Sequence, residues 1–214
     1  MPYTLEQKLV IAVSSSAVFD MKEADEIFRT QGEDSYRAHQ HKFIDEPFNR
    51  GVAFPFIKRL LALNDLHAAE PPIEVIVLSR NDPESGLRFF RSCQHYNLQI
   101  TRGAFTTGKE PYEYIRAFNA SLFLSANKAD VHRATAEGYP AGLVLESTID
   151  EDDSDKELRI AFDFDCVLAG DESEKVFRES GLDAYQAAEW QKAAVPLSDG
   201  PLKKLIGKLA HIQQ

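Results

Sequence analysis

Short apolar runs alternate with amphipathic stretches along this chain. LVIAV (9–13) and IEVIVLS (73–79) are apolar at nearly every position, the pattern of strands buried on both faces. MKEADEIFRTQG (21–32) predicts a helix that closes at Gly32, and Gly51 precedes a second helix through Phe54, Ile57, Leu60 and Leu61. Asp82-Pro83 pairs a capping side chain with a first-turn proline and opens a helix that runs to about Tyr96. LQITRGAF (98–105) reads as a strand, PYEYIRAF (111–118) as a helix and SLFLSAN (121–127) as a strand. A helix from Lys128 to Glu137 and the strand AGLVLE (141–146) follow. Strands that alternate with helices predict an α/β fold with a parallel sheet covered on both faces. Ligands of such sheets gather at the carboxyl ends of the strands.

The pattern then starts again. Laid over residues 158–214 at a constant shift of 149, residues 9–65 give 15 identical pairs in 57 positions, against about 3 or 4 from average residue usage. Among them are Phe28/Phe177, Gly32/Gly181, Tyr36/Tyr185 and Gly51/Gly200. The expected organisation is a whole unit over 1–149, an acidic linker over 150–156 and a second, incomplete copy over 157–214. In that copy RIAF reads as a strand ending at Asp163, and PLKKLIGKLAHI as a helix with Leu202, Leu205, Ile206 and Leu209 along one side.

Composition narrows the function classes. The formal charge is -10, from 24 basic and 34 acidic residues, which argues against a sequence-independent grip on nucleic acid or on an anionic membrane. A phosphorylated substrate is still compatible, because a bound divalent cation reverses the local field. Cys93 and Cys166 make neither a disulfide framework nor a zinc spacing. MPYTLEQKLV lacks the basic and apolar regions of a signal peptide, and no apolar run approaches the roughly 20 residues that cross a bilayer. These features predict a cytoplasmic protein with no membrane partner; a homo-oligomer is compatible with them.

Asp163-Phe164-Asp165 differs in context from the linker pairs Asp150-x-Asp152 and Asp153-x-Asp155. It follows an apolar run and precedes small residues, so both carboxylates can converge on one ligand. Two anions that close need a cation or a proton between them. IAFDFDCVL (160–168) resembles the first motif of the haloacid dehalogenase-like superfamily, a hydrophobic strand followed by Asp-x-Asp-x-Val/Thr. Together with AVSSSAVFD, YRAHQ, GVAFPFIKRL, LFLSAN and AFDFDCVLAGDESE, it resembles the cytosolic 5'-nucleotidase type I family along nearly the whole chain. Cys166 departs from the Gly or Ala that many relatives carry.

The resemblance implies a duplicated Rossmann-like fold and Mg²⁺-dependent hydrolysis of nucleoside 5'-monophosphates. Asp163 would be the nucleophile that forms an aspartyl-phosphate, and Asp165 the general acid and base. Both would serve Mg²⁺. The superfamily's strand-end Ser/Thr, its lysine and its late acidic pair are not found after Asp165, so the chain by itself reads as an incomplete or inactive fragment. In the first unit, the shift of 149 sets Ser14 and Ser16 at the places of Asp163 and Asp165. Ser79 and Lys109 stand where the second and third motifs would lie, while Ser125 and Ala126 replace the acidic pair. Ser79, Asn81 and Lys109 are therefore candidates to contact an anion or substrate. The alternative is a non-catalytic nucleotide-binding or regulatory module.

Overall fold

The computed structural model describes residues 8–147 and 154–213. The first residues and most of the acidic linker, 150–153, lie outside the described residues. The chain divides into two compact units, Met1–Leu158 and Arg159–Gln214.

The first unit is built on five parallel strands: β1 (Leu9–Val13), β2 (Ile73–Ser79), β3 (Gly103–Phe105), β4 (Leu122–Ser125) and β5 (Ala141–Leu143). Their spatial order is β3-β2-β1-β4-β5. Every residue of β1 and β2 is buried, as their unbroken apolar runs predict. Successive side chains of these strands point to opposite faces. One face packs Val10, Ala12, Ile76, Leu78 and Phe123 with Tyr112, Ile115 and Ala134. Phe19, which is fully buried, fills a separate aromatic cluster with Phe48, Phe54, Phe89 and Tyr96, at centroid distances of 5.2–6.1 Å.

Six helices connect these strands: α1 (Ser15–Val18), α2 (Lys22–Gln31), α3 (Glu33–Lys42), α4 (Phe54–Ala62), α5 (Pro83–His95) and α6 (Lys128–Ala136). The expected cap of α5 is in place, with the Ser85 N–H donating to Asp82 Oδ1 at 2.8 Å. The pattern of apolar residues does not reveal α3. The segment read as a helix over 111–118 is a 3-10 turn at Pro111–Tyr114, and the strand read over 98–105 narrows to Gly103–Phe105. Gly103 sits so close to β2 that a Cβ there would lie 2.3 Å from the Val77 carbonyl oxygen.

The second unit contains α7 (Glu172–Lys192), α8 (Lys203–Ile212) and an antiparallel bridge between Ala169 and Asp199. Residues 159–162, read above as a strand, form none. A strand is held by its ladder partners, and β1 has them in β2 and β4. Among the described residues after Leu158, no strand is present to play that part.

Local geometry recurs between the units. Gly32 breaks the helix at φ 85°, ψ -179°, and Gly181 does so at φ 80°, ψ -177°. Phe28 and Tyr36 pack edge to face at 5.7 Å and 86°; Phe177 and Tyr185 do the same at 6.2 Å and 83°. A Cβ on Gly51 would strike the backbone of Val18 and Phe19, and one on Gly200 that of Val167, Leu168 and Ala169.

Candidate functional site

β1, β2 and β4 end side by side, and their last residues floor a cavity of ≈ 520 Å³ in the first unit. The tip of β1 passes into Ser14-Ser15-Ser16. Ser14 caps α1, its Oγ accepting from the Ala17 N–H at 3.2 Å and from the Ala126 N–H at 3.3 Å. Ser15 Oγ and Ser79 Oγ lie 2.9 Å apart in the buried floor. Asn81 donates its N–H to Ser79 Oγ at 3.2 Å and its amide Nδ2 to Ser15 Oγ at 3.3 Å. Ser125 Oγ accepts from the Asn127 N–H at 3.0 Å, and Asn127 caps α6 through the Ala129 N–H at 2.9 Å.

Ser79 and Asn81 are thus brought together in this cavity. Lys109 is not among its walls. Thr107 (φ 47°) and Gly108 (φ 82°) turn the loop after β3 so that these two residues line the cavity while Lys109 is exposed.

The charged walls escape a reading of the sequence. Arg80 Nε donates to Asp130 Oδ1 at 2.9 Å and to Oδ2 at 3.2 Å, with a further short contact from Nη2. Its Nη1 donates to the Gly108 carbonyl at 3.0 Å. Hydrogen bonding to Asp130 raises the Arg80 pKa. Burial works against the charge of Asp82, but the Ser85 N–H and hydroxyl and the Arg37 guanidinium outweigh it and hold the carboxyl below its usual range.

The carboxylate of Asp25, on α2, has no hydrogen-bond or ion-pair partner among the described residues; the backbone N–H donates to the Met21 carbonyl at 2.9 Å. The protein packed around it, and then the charge of Asp20, raise its pKa, although its surface remains open to the cavity. Tyr36 is 5% exposed and lines the same wall, and burial pushes its phenol up to about 12. The neighbouring Ser85 hydroxyl donates to Asp82, and among the described residues the Tyr36 hydroxyl has no partner in hydrogen-bond geometry.

A raised carboxyl pKa has a definite consequence for stability. The folded state holds the Asp25 proton more tightly than the unfolded chain does, so ionisation of Asp25 opposes folding above the usual carboxylate range. Asp25→Asn is expected to raise the melting temperature at pH 7. The difference from wild type should shrink as pH falls below that range, a trend that thermal melts over a pH series will check.

In the second unit, Asp163 and Asp165 are both exposed, at a turn in which the Phe164 N–H donates to Asp163 Oδ1 at 2.8 Å. The Phe164 carbonyl accepts from the Leu168 and Ala169 N–H groups at 2.9 and 3.0 Å. Cys166 lies in the left-handed region at φ 58°, which favours a glycine. Cys93 is buried in the first unit, and its thiol is pushed up to about 12 by burial, so it stays protonated. No group of three or more His, Cys, Asp or Glu stands together to hold a metal among the described residues. By chemistry, Asp163 and Asp165 do fit Mg²⁺, which takes one or two carboxylates and keeps water for its other positions.

A parallel α/β sheet with a polar crevice at its strand tips, joined to a second unit that carries an exposed Asp-x-Asp turn, defines a class of small-molecule enzymes and binding proteins. The family model for 5'-nucleotidase matches residues 1–214, and the chain belongs to the 5'-nucleotidase family. It is 32% identical over 211 residues to human cytosolic 5'-nucleotidase 1B, an alignment that covers 96% of this chain and 35% of that protein. The chain therefore spans about a third of the length of this curated relative. No solved structure matches it. Among the described residues, no helix is long and apolar enough to cross a membrane.

Proposed function

We propose that this chain carries the nucleophile segment of a cytosolic 5'-nucleotidase that hydrolyses nucleoside 5'-monophosphates to nucleoside and phosphate. The observation that carries the reading is the AFDFDCVLAG turn of the second unit, in a chain that matches the 5'-nucleotidase family along its whole length. Asp163 attacks phosphorus and holds the phosphoryl group as an aspartyl-phosphate while the nucleoside oxygen leaves. Asp165 gives that oxygen its proton, then takes one from the water that hydrolyses the aspartyl-phosphate. The Asp163 carboxylate and the backbone carbonyl of Asp165 would hold Mg²⁺, which when bound would neutralise charge on the phosphoryl oxygens.

The second unit is read as an incomplete copy of the first, with a haloacid dehalogenase-like build. The recurring glycine breaks and edge-to-face aromatic pairs support this reading. In such a copy, the counterparts of β2 and β4 fall at positions beyond Gln214. Residues 159–162 then gain their ladder partners, and Asp163 stands at a strand tip, only when those segments are joined to them. The 214-residue segment alone is therefore expected to release phosphate at background rate. A longer product that carries those segments should hydrolyse nucleoside monophosphates, lose activity in EDTA and regain it with Mg²⁺. A phosphate-release assay of both forms tests this; full, EDTA-resistant turnover by the segment alone would overturn it.

A second reading, a non-catalytic regulatory module, is favoured by the first unit. Serines stand there at the counterparts of the aspartates, yet a formed cavity is retained.

A further inference from the structure

The first-unit cavity has serines, not carboxylates, at the tip of β1, but its walls are acidic. Asp25, Glu33, Asp82 and Asp130 line it against a single guanidinium, that of Arg80. Arg80 is committed to Asp130 and to the Gly108 carbonyl. Asp82 and Glu33 share Arg37, at 3.0 and 2.7 Å. No lining cation is left over for a phosphate, and Asp25 keeps an open acceptor. A dianion placed here would meet repulsion without a compensating charge. A neutral molecule with N–H and O–H donors meets what the cavity offers.

The same wall supplies a surface for a flat ring. Phe28 stands three residues after Asp25 on α2, on the same side of the helix, and its side chain is 54% exposed beside the cavity. Tyr36 braces it edge to face at 5.7 Å and carries the unpartnered hydroxyl. Ser16 and Asn81, both half-buried at the floor, present polar groups to the far end of a ligand. The cavity volume lies within the range of small-molecule sites.

We propose that the first unit binds an uncharged nucleoside whose base carries an exocyclic amine. The base stacks on Phe28, its amine donates to Asp25, and the sugar hydroxyls face Ser16 and Asn81. The choice of a nucleoside rests on the 5'-nucleotidase reading, since this is the product class of that reaction. The site senses or retains product and makes no use of Asp163.

Calorimetric titration of the 214-residue Asp163→Asn protein tests the proposal with no substrate turnover. Adenosine is expected to bind at least about tenfold tighter than adenosine 5'-monophosphate, and about tenfold tighter than inosine, which lacks the amine. Asp25→Asn and Phe28→Ala should each weaken adenosine about tenfold, and the wild-type chain, with Asp163 intact, should bind adenosine as tightly as the Asp163→Asn protein does. Tighter binding of the monophosphate or of inorganic phosphate, equal affinity for inosine, or no adenosine binding at millimolar concentration overturns the proposal. Phosphate release that depends on Asp163 in the longer product, together with absent adenosine binding, sinks this inference and leaves the catalytic reading standing.

Discussion

Asp163→Asn, made in any longer product that carries the counterparts of β2 and β4, is expected to lower phosphate release from nucleoside 5'-monophosphates by at least about 10³-fold, with little change in fold. An amide keeps the size of the side chain but has no anionic oxygen to attack phosphorus. The carboxylate is exposed and, among the described residues, accepts only the Phe164 N–H at its turn, so little folding energy depends on it. Asp165→Asn removes the proposed proton donor and should cost about 10²–10⁴-fold, most severely for substrates with poor leaving groups. Steady-state phosphate release, with circular dichroism as the folding control, distinguishes these variants from simple unfolding. Activity within a fewfold of wild type for Asp163→Asn would remove this residue from the mechanism.

The second large effect belongs to the first unit. Arg80→Met leaves the Asp130 carboxylate, whose side chain is 4% exposed, without the guanidinium that grips both of its oxygens. Breaking a buried pair from one side costs about 3–5 kcal/mol, which for a domain of this size lowers the melting temperature by roughly 6–20 °C. Replacing both partners is much milder, because no uncompensated charge stays behind. Arg80→Met/Asp130→Leu should therefore recover most of the loss. Thermal melts of the single and double variants give the answer. A single variant that melts with wild type would mean that the pair does not hold the strand tips together.

The elements legible in the sequence are those set by local chemistry. β1 and β2 appear as unbroken apolar runs, and α5 announces its start through Asp82-Pro83. α3 is not legible because EDSYRAHQHK has almost no apolar stripe; the helix buries Tyr36 and Gln40, and the side-chain carbonyl of Gln40 takes a bond from Arg88, which lies 48 residues away. The Arg80–Asp130 pair is invisible for the same reason, since its partners are 50 residues apart and meet only when β2 and β4 align beside β1. Lys109 has the right order in the chain for a phosphate-facing lysine, but two left-handed residues before it turn the loop away. Residues 159–162 have the composition of a strand, yet strand formation depends on neighbours as much as on propensity.

Asp25 illustrates a signal that only the folded geometry carries. In sequence it is one acid of an amphipathic helix. In the structure its carboxylate lines a cavity without an ion-pair partner among the described residues, under packing that disfavours its ionisation. A carboxylate that faces a crevice without a partner and with a raised pKa is a candidate for function.

Direct trapping of the phosphorylated protein tests the catalytic claim at its source. The longer product is mixed with a nucleoside monophosphate and Mg²⁺, quenched in acid within a turnover and reduced with borohydride, and its peptides are then weighed. The account predicts modification at Asp163, absent from Asp163→Asn. Turnover with modification at another residue, or with none anywhere under conditions that trap a control aspartyl-phosphate, contradicts it.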